Sequence, residues 1–320
     1  MLRTSELLLM SFARWFILLG CGVIAGCGGG GPPEFTAPPV KVVCTTTIVA
    51  DLVKRVGGDR VTVDVLMGPG VDPHRYIPTA GDRAKLEGAH LVCFNGLHLE
   101  GKMTDTFEKS RRRFRAFAVT RDLPADKLRA ADTDGGEHDP HVWFDVALWA
   151  GTVGPVQVEL SKLDPAGAAT YAANAEAYRK ELDALDAEVR AALGKLPKER
   201  RVLVTGHDAF GYFGRAYGLE VRGLQGVSTA SEVGTADLDR LADFLGSNRV
   251  PAVFTETSIR DDGLQAVLEN SRKKYGHTVR LVGGDDALYS DALGAPGTPG
   301  GTYAGMVRHN VKVIVDALSN

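Results

Sequence analysis

Three histidines stand in polar stretches that directly follow β-branched runs: His74 in GPGVDPHRYIPT, His141 in GEHDPHVWFD and His207 in VTGHDAFGYF. A fourth polar group, Asp291 in ALYSDALG, follows the last such run. Three imidazoles and one carboxylate make a four-coordinate nitrogen and oxygen set suited to Zn²⁺ and usable by Mn²⁺. The tripeptides Asp72-Pro73-His74 and Asp139-Pro140-His141 repeat one device. The proline fixes the turn, and Asp72 or Asp139 can hold the backbone or the ring N–H of the histidine behind a bound ion. Glu256, at the end of another apolar run, is a candidate for the same supporting role. The sequence contains no HExxH, P-loop or GxSxG elbow, so chemistry has to come from these scattered positions.

The elements that must position them alternate short β-branched runs with amphipathic stretches from Val40 onward, the pattern of βα units. Strands are predicted at 40–44, 61–66, 90–94 and 115–119, then at 201–205, 219–222, 251–255 and 278–282. Helices fall between them, among others at 47–57, 79–87, 235–246 and 259–275. Ligands of open α/β sheets bind beyond the carboxyl ends of the strands. Two of the four residues belong to each half, which places the site between them. The segment 164–196 is different. Asp164-Pro165 starts it, and Tyr171, Ala175, Tyr178, Leu182, Leu185, Val189 and Leu193 alternate spacings of four and three before Gly194 and Pro197. One helix of about 30 residues would be about 45 Å long, enough to span two lobes as a stiff spine. The expected fold is α/β. Two lobes, each a mostly parallel four-stranded sheet flanked by helices, are joined by that helix. The lobes cover 40–160 and 198–320, with the connecting segment at 161–197.

The N-terminus reads as an address. Arg3 and Arg14 precede an apolar run of 11 residues from Trp15 to Ala25, too short to span a bilayer. It ends in Ile24-Ala25-Gly26-Cys27, which is similar to a bacterial lipobox, with Cys27 as the lipidated residue and 1–26 as the signal peptide. Cys21 is a weaker second candidate, and an uncleaved anchor helix is the alternative. Residues 27–39, rich in glycine and proline, form a flexible tether. Cys44 and Cys93 lie in strand-like apolar runs as small buried hydrophobes. An oxidising compartment allows a disulfide between them.

Seven stretches in order carry a family resemblance: TTTIVADLVKRVGGDRVTV, DPHRYIPTAGDRAKLEGAHLVCFNGLHLE, DPHVWFD, TGHDAFGYF, GVSTASEVGTADL, VFTETSI, and LYSDALG followed by YAGMVRHNV. The chain resembles the zinc/manganese solute-binding lipoproteins of bacterial ABC metal importers (cluster A-I type), over nearly all of residues 42–313. The resemblance implies that His74 and His141 are the histidine ligands of the first lobe and that Asp291 is the carboxylate of the second. His207 fills a position where manganese-leaning members often have glutamate and zinc-leaning members histidine. The long His/Asp/Glu-rich loop of many zinc-specific members is reduced here to AADTDGGEHDPH, with His138 as the sole spare imidazole.

Composition agrees with such a role. The 320 residues are 44% apolar and 24% charged, typical of a globular protein. A formal charge of −3 offers nucleic acid no electrostatic attraction. The expectation is a monomeric receptor on the periplasmic side of the envelope, tethered through Cys27. It captures zinc, or manganese, and hands it to an ABC permease and its ATPase. The stiff helix limits closure, so release rests on local loop shifts around the second-lobe residues. The rivals are a metal-binding adhesin or structural lipoprotein and a zinc hydrolase. A hydrolase needs an open coordination position, which a fourth protein ligand removes. The remaining histidines, His90, His98, His277 and His309, are expected to be packed or solvated, with His98 opening a helix.

Overall fold

The computed structural model describes residues 31–109, 113–131 and 137–319. The lipidation candidates Cys27 and Cys21 and the signal segment 1–26 lie outside the described residues, as does most of the polar loop before His138.

The first half contains β1 (Val40–Thr46), α1 (Thr47–Gly57), β2 (Val61–Met67), α2 (Ala80–Gly88), β3 (Leu91–Phe94), α3 (Lys102–Lys109) and β4 (Ala116–Ala118). Then come α4 (Val146–Ala150), α5 (Val153–Leu163) and α6 (Ala168–Leu193). The second half contains β5 (Val202–His207), α7 (Gly211–Tyr217), β6 (Glu220–Gln225), α8 (Thr235–Ser247), β7 (Ala252–Phe254), α9 (Asp262–Tyr275), β8 (Arg280–Val282) and α10 (Tyr303–Ser319). All eight expected strands are present.

The first sheet has the order β2-β1-β3-β4 and is parallel throughout. Its central strand, VKVVCTT, is buried at every position but Lys41, as a strand covered on both faces must be. At its end Thr46 turns the chain into α1 by accepting the Val49 N–H, which satisfies one of the free donors of the helix N-terminus.

In the second half the strands pair as two parallel two-stranded sheets, β5 with β6 and β7 with β8, where one four-stranded sheet was expected. β5 and β7 lie side by side. At their upper end the His207 N–H is taken by the Glu256 carboxylate (2.9 Å), a side chain, instead of by a ladder carbonyl. The Glu256 side chain thus sits between the ends of β5 and β7.

The long helix forms as its spacing required. A 3₁₀ turn, Pro165–Gly167, leads into the 26 residues of α6. Asp164 caps the start by accepting the Gly167 N–H and binds Arg60 and the Tyr171 hydroxyl. All seven apolar positions of the stripe are buried, with each of its leucines and its valine contributing about 1.5–3 kcal/mol. The helix packs against α1, α4, α5, α7 and α10.

Cys44 and Cys93 are free, fully buried thiols that face each other in register across β1 and β3. Burial pushes the Cys44 thiol well above its ordinary value, so it is inert as a nucleophile.

Candidate metal site

The strand ends bring the four predicted residues to one point. His74, His141, His207 and Asp291 each offer an atom to a cluster within 4.8 Å, the one group of its kind among the described residues. His74 Nε2 is 3.2 Å from His141 Nε2. The two carboxylate oxygens of Asp291 lie 3.4 Å from His141 Nε2 and His207 Nε2 respectively. A tetrahedron with metal–ligand bonds of about 2.0–2.1 Å has edges of about 3.3–3.4 Å. The two His–Asp291 contacts are of that edge length, and all four offered atoms lie within 4.8 Å of one another. His207 Nε2 and Asp291 Oδ1 are buried with no hydrogen-bond partner, which is costly unless something else satisfies them. The donor set and its geometry fit a transition-metal cation.

Each histidine is held from behind. Asp139 Oδ1 accepts the His141 main-chain N–H (2.9 Å) and lies 2.8 Å from the ring Nδ1. Its other oxygen accepts from Arg129 Nη1 at 3.0 Å. Glu256 does the same for His207, with one oxygen on the main-chain N–H and the other 2.7 Å from Nδ1. With Nδ1 turned to a carboxylate, both rings present Nε2 to the cluster. Asp72 Oδ1 accepts the His74 N–H at 2.9 Å, but its second oxygen accepts the Thr229 hydroxyl at 2.6 Å and no ring nitrogen. All three supporting carboxylates named from sequence thus touch their histidines.

Burial pulls all three imidazoles towards the neutral form, and the carboxylates decide the outcome. For His141, burial is outweighed by Asp139 and Asp291, and the ring is lifted above its usual range. For His207 it is outweighed by Glu256 and Asp291, and the lift is large. His74 has no such backing. Burial lowers it to about 3, Asp291 opposing and the other two histidines reinforcing. Burial alone would raise Asp291, yet His207 and His141 hold it well below the usual carboxylate range.

Several supporting residues carried no sequence signal of their own. The Trp143 indole donates to the Ser290 carbonyl (3.0 Å), fixing the residue before Asp291, and the Tyr303 hydroxyl donates to the Trp143 carbonyl (2.7 Å). The Tyr212 hydroxyl donates to the Asp139 carbonyl and accepts the Arg129 N–H, both at 2.9 Å. Gly211 leaves the space that the Arg129 guanidinium fills. Only their adjacency to the motifs, as in DPHVW and HDAFGY, could have marked them. The glycine-rich loop after Asp291 also finds a reason, since a side chain at Gly300 would collide with the Tyr289 ring. His98 is exposed in a turn with φ 67°, and α3 opens only at Lys102. The left-handed backbone at Gly101 delays the helix that was expected to start at His98. His90 accepts the Lys41 N–H, while His277 and His309 lie 3.0 Å from the carbonyls of Val250 and Ala287, all packing roles.

The family model for the periplasmic zinc-uptake complex component A, ZnuA, matches residues 42–317. The chain belongs to this family. It is 48% identical over 304 residues to the zinc-binding protein TroA of Treponema pallidum, covering 94% of this chain and 97% of that one. It is 42% identical over 302 residues to the manganese-binding lipoprotein MntA of Bacillus subtilis, with the same coverage. The solved structure of the periplasmic zinc-binding TroA superposes with a TM-score of 0.83 at 47% identity, covering 88% of this chain and 99% of that one. The two-lobe architecture is that of this ZnuA family.

Proposed function

We propose that this ZnuA-family chain is an extracytoplasmic receptor that binds one divalent transition metal through His74, His141, His207 and Asp291 and delivers it to an ABC permease and its ATPase. Zinc is the favoured cargo and manganese the alternative. The observation that carries the reading is the convergence of His74, His141, His207 and Asp291 at the strand ends, with their four offered atoms within 4.8 Å of one another. Four protein donors leave no corner of a tetrahedron for an activated water, so the chemistry is capture and release, not hydrolysis. Relatives carrying zinc and manganese in their names support both cargoes. Lipidation at Cys27 holds the receptor, a monomer, at the outer face of the cytoplasmic membrane.

Titrating zinc and manganese into variants tests this. His207→Glu replaces a borderline nitrogen with a hard oxygen. Zinc affinity then falls more than manganese affinity, and the ratio shifts towards manganese by about tenfold or more, about 1.4 kcal/mol. Asp291→Ala weakens both ions. An unchanged ratio in the first variant, or wild-type binding in the second, overturns the four-residue assignment.

A further inference from the structure

We infer that Asn95 and Glu100 are positioning residues for the proposed site, because the turn they build beyond β3 sets the distance between the His74 and His141 loops. The inference rests on the four-residue reading above and extends it to residues that never reach the ion.

The turn Asn95–Gly101 passes through left-handed backbone at Gly96, Leu97, His98 and Gly101, with φ of 87°, 52°, 67° and 47°. Leucine and histidine enter that region only when their surroundings hold them there. What holds them is internal. The Glu100 carboxylate is 1% exposed. It accepts the Asn95 N–H (2.6 Å), the Gly96 N–H (3.2 Å) and the Thr45 hydroxyl (2.8 Å). Every partner is a donor, which favours the carboxylate, but burial outweighs them and raises this carboxyl above its ordinary value. A buried charge seldom stabilises a fold more than apolar packing would. Its return here is a turn of fixed shape.

The outer face of the turn touches both first-lobe histidine loops. The Asn95 amide donates to the Pro140 carbonyl at 3.1 Å, one residue before His141. The Asn95 carbonyl is itself tied down by the Thr120 hydroxyl at 2.6 Å. At the other end Gly101 lies against the His74 carbonyl, which a side chain at that position would meet at 3.1 Å. One short segment is therefore a spacer between the backbones of two residues whose Nε2 atoms must stay 3.2 Å apart. Glu100 locks the spacer, and Asn95 connects it to His141.

The test measures zinc affinity, zinc release to a chelator and the visible spectrum of the Co²⁺-loaded protein. Glu100→Gln turns an amide N–H₂ towards a cradle of donors, and Asn95→Ala cuts the link to Pro140 while leaving the cradle intact. We expect both to weaken zinc by about tenfold or more, the lower range for lost supporting contacts, to speed release and to shift the Co²⁺ bands. Asp164→Asn is the control, since it breaks the Arg60 and Tyr171 cluster at the start of α6. It lowers the melting temperature without moving affinity or spectrum. Wild-type affinity and spectrum in folded Glu100→Gln and Asn95→Ala overturn the inference, as does an equal spectral change in Asp164→Asn. Should Glu100→Gln fail to fold, Asn95→Ala decides alone. His141→Ala separates the two readings. If it binds zinc like wild type, the four-residue site fails and the positioning role with it. If it abolishes binding while Asn95→Ala is silent, only the positioning role fails.

Discussion

The loops of His74 and His141 share the tripeptide Asp-Pro-His and the same local turn, in which the aspartate accepts the N–H of the histidine two residues on. Beyond that turn they part. Asp139 also reaches its histidine's ring and is held by Arg129, and its carbonyl is bound by Tyr212. Two residues past His141, Trp143 is bonded to Ser290 and Tyr303, and Phe144 stacks on Phe210 at 4.3 Å between ring centroids. The His141 loop is thereby built into the second half of the chain. The His74 loop reaches that half through Asp72 and Thr229, and its imidazole is the most exposed of the four proposed ligands, at 9%. Identical local chemistry thus yields a fixed platform in one place and a lightly tethered arm in the other. Tertiary context makes the difference, and it also sets the opposite directions in which the two rings titrate. Of the two first-lobe loops, that of His74 is therefore the one with fewer bonds to the second half of the chain.

The largest expected effect follows from those directions. Below their raised pKa values His141 and His207 are protonated in the metal-free protein, and both must lose a proton to coordinate. His74, lowered to about 3, and Asp291, held ionised, release none. Zinc binding should therefore release about two protons between pH 7 and 5, and affinity should fall by up to about a hundredfold per unit as pH drops. Calorimetry in buffers of different ionisation enthalpy counts the protons. A count of three near pH 6 would mean that His74 titrates like its counterpart, and the contrast between the loops would be lost. A flat response would remove His141 and His207 from the site, since His74 releases no proton in this range.

A pair of conservative substitutions sharpens the contrast at smaller scale. Asp139→Asn weakens the hold on the His141 ring and should cost about 10–100-fold in zinc affinity. Asp72→Asn touches only a main-chain N–H and a hydroxyl, and should cost less than about tenfold. Competition titrations against a chromogenic chelator give both numbers. Equal losses would show that the two aspartates act alike, through the turn alone.

Much of this was legible in the sequence because it is local. Eight strands followed from β-branched runs, the spine from a stripe of spacing four and three, and the four donors from their places after strands. What escaped is non-local. That Glu256 interrupts a sheet at His207, that Arg129 fills the space over Gly211, and that Asn95 holds Pro140 all depend on pairs 45 or more residues apart. The split of the second sheet is likewise invisible in AVF and RLV, because strand pairing is settled between segments far apart in sequence. His98 misled for a different reason. Its backbone is left-handed, a conformation that sequence signals with glycine and not with histidine.

The smallest expected effect tests the tether of the His74 arm. Thr229→Val keeps the shape of a side chain that is only 2% exposed and removes the hydroxyl that Asp72 accepts. The lost bond involves a partly exposed carboxylate, so about 1 kcal/mol is at stake, about fivefold in a rate. If this bond restrains the arm, its loss lowers the barrier to departure more than it alters capture, and zinc should leave about fivefold faster. Tyr212→Phe is the comparison, removing two bonds from the His141 side, one to the Asp139 carbonyl and one from the Arg129 N–H. That loop keeps its bonds to Ser290 and Tyr303 and its aromatic packing, so its release rate should stay near wild type. Stopped-flow release into excess chelator reads both variants. Faster release from Thr229→Val alone supports the arm as the exit, whereas faster release from Tyr212→Phe alone would assign the motion to the His141 side.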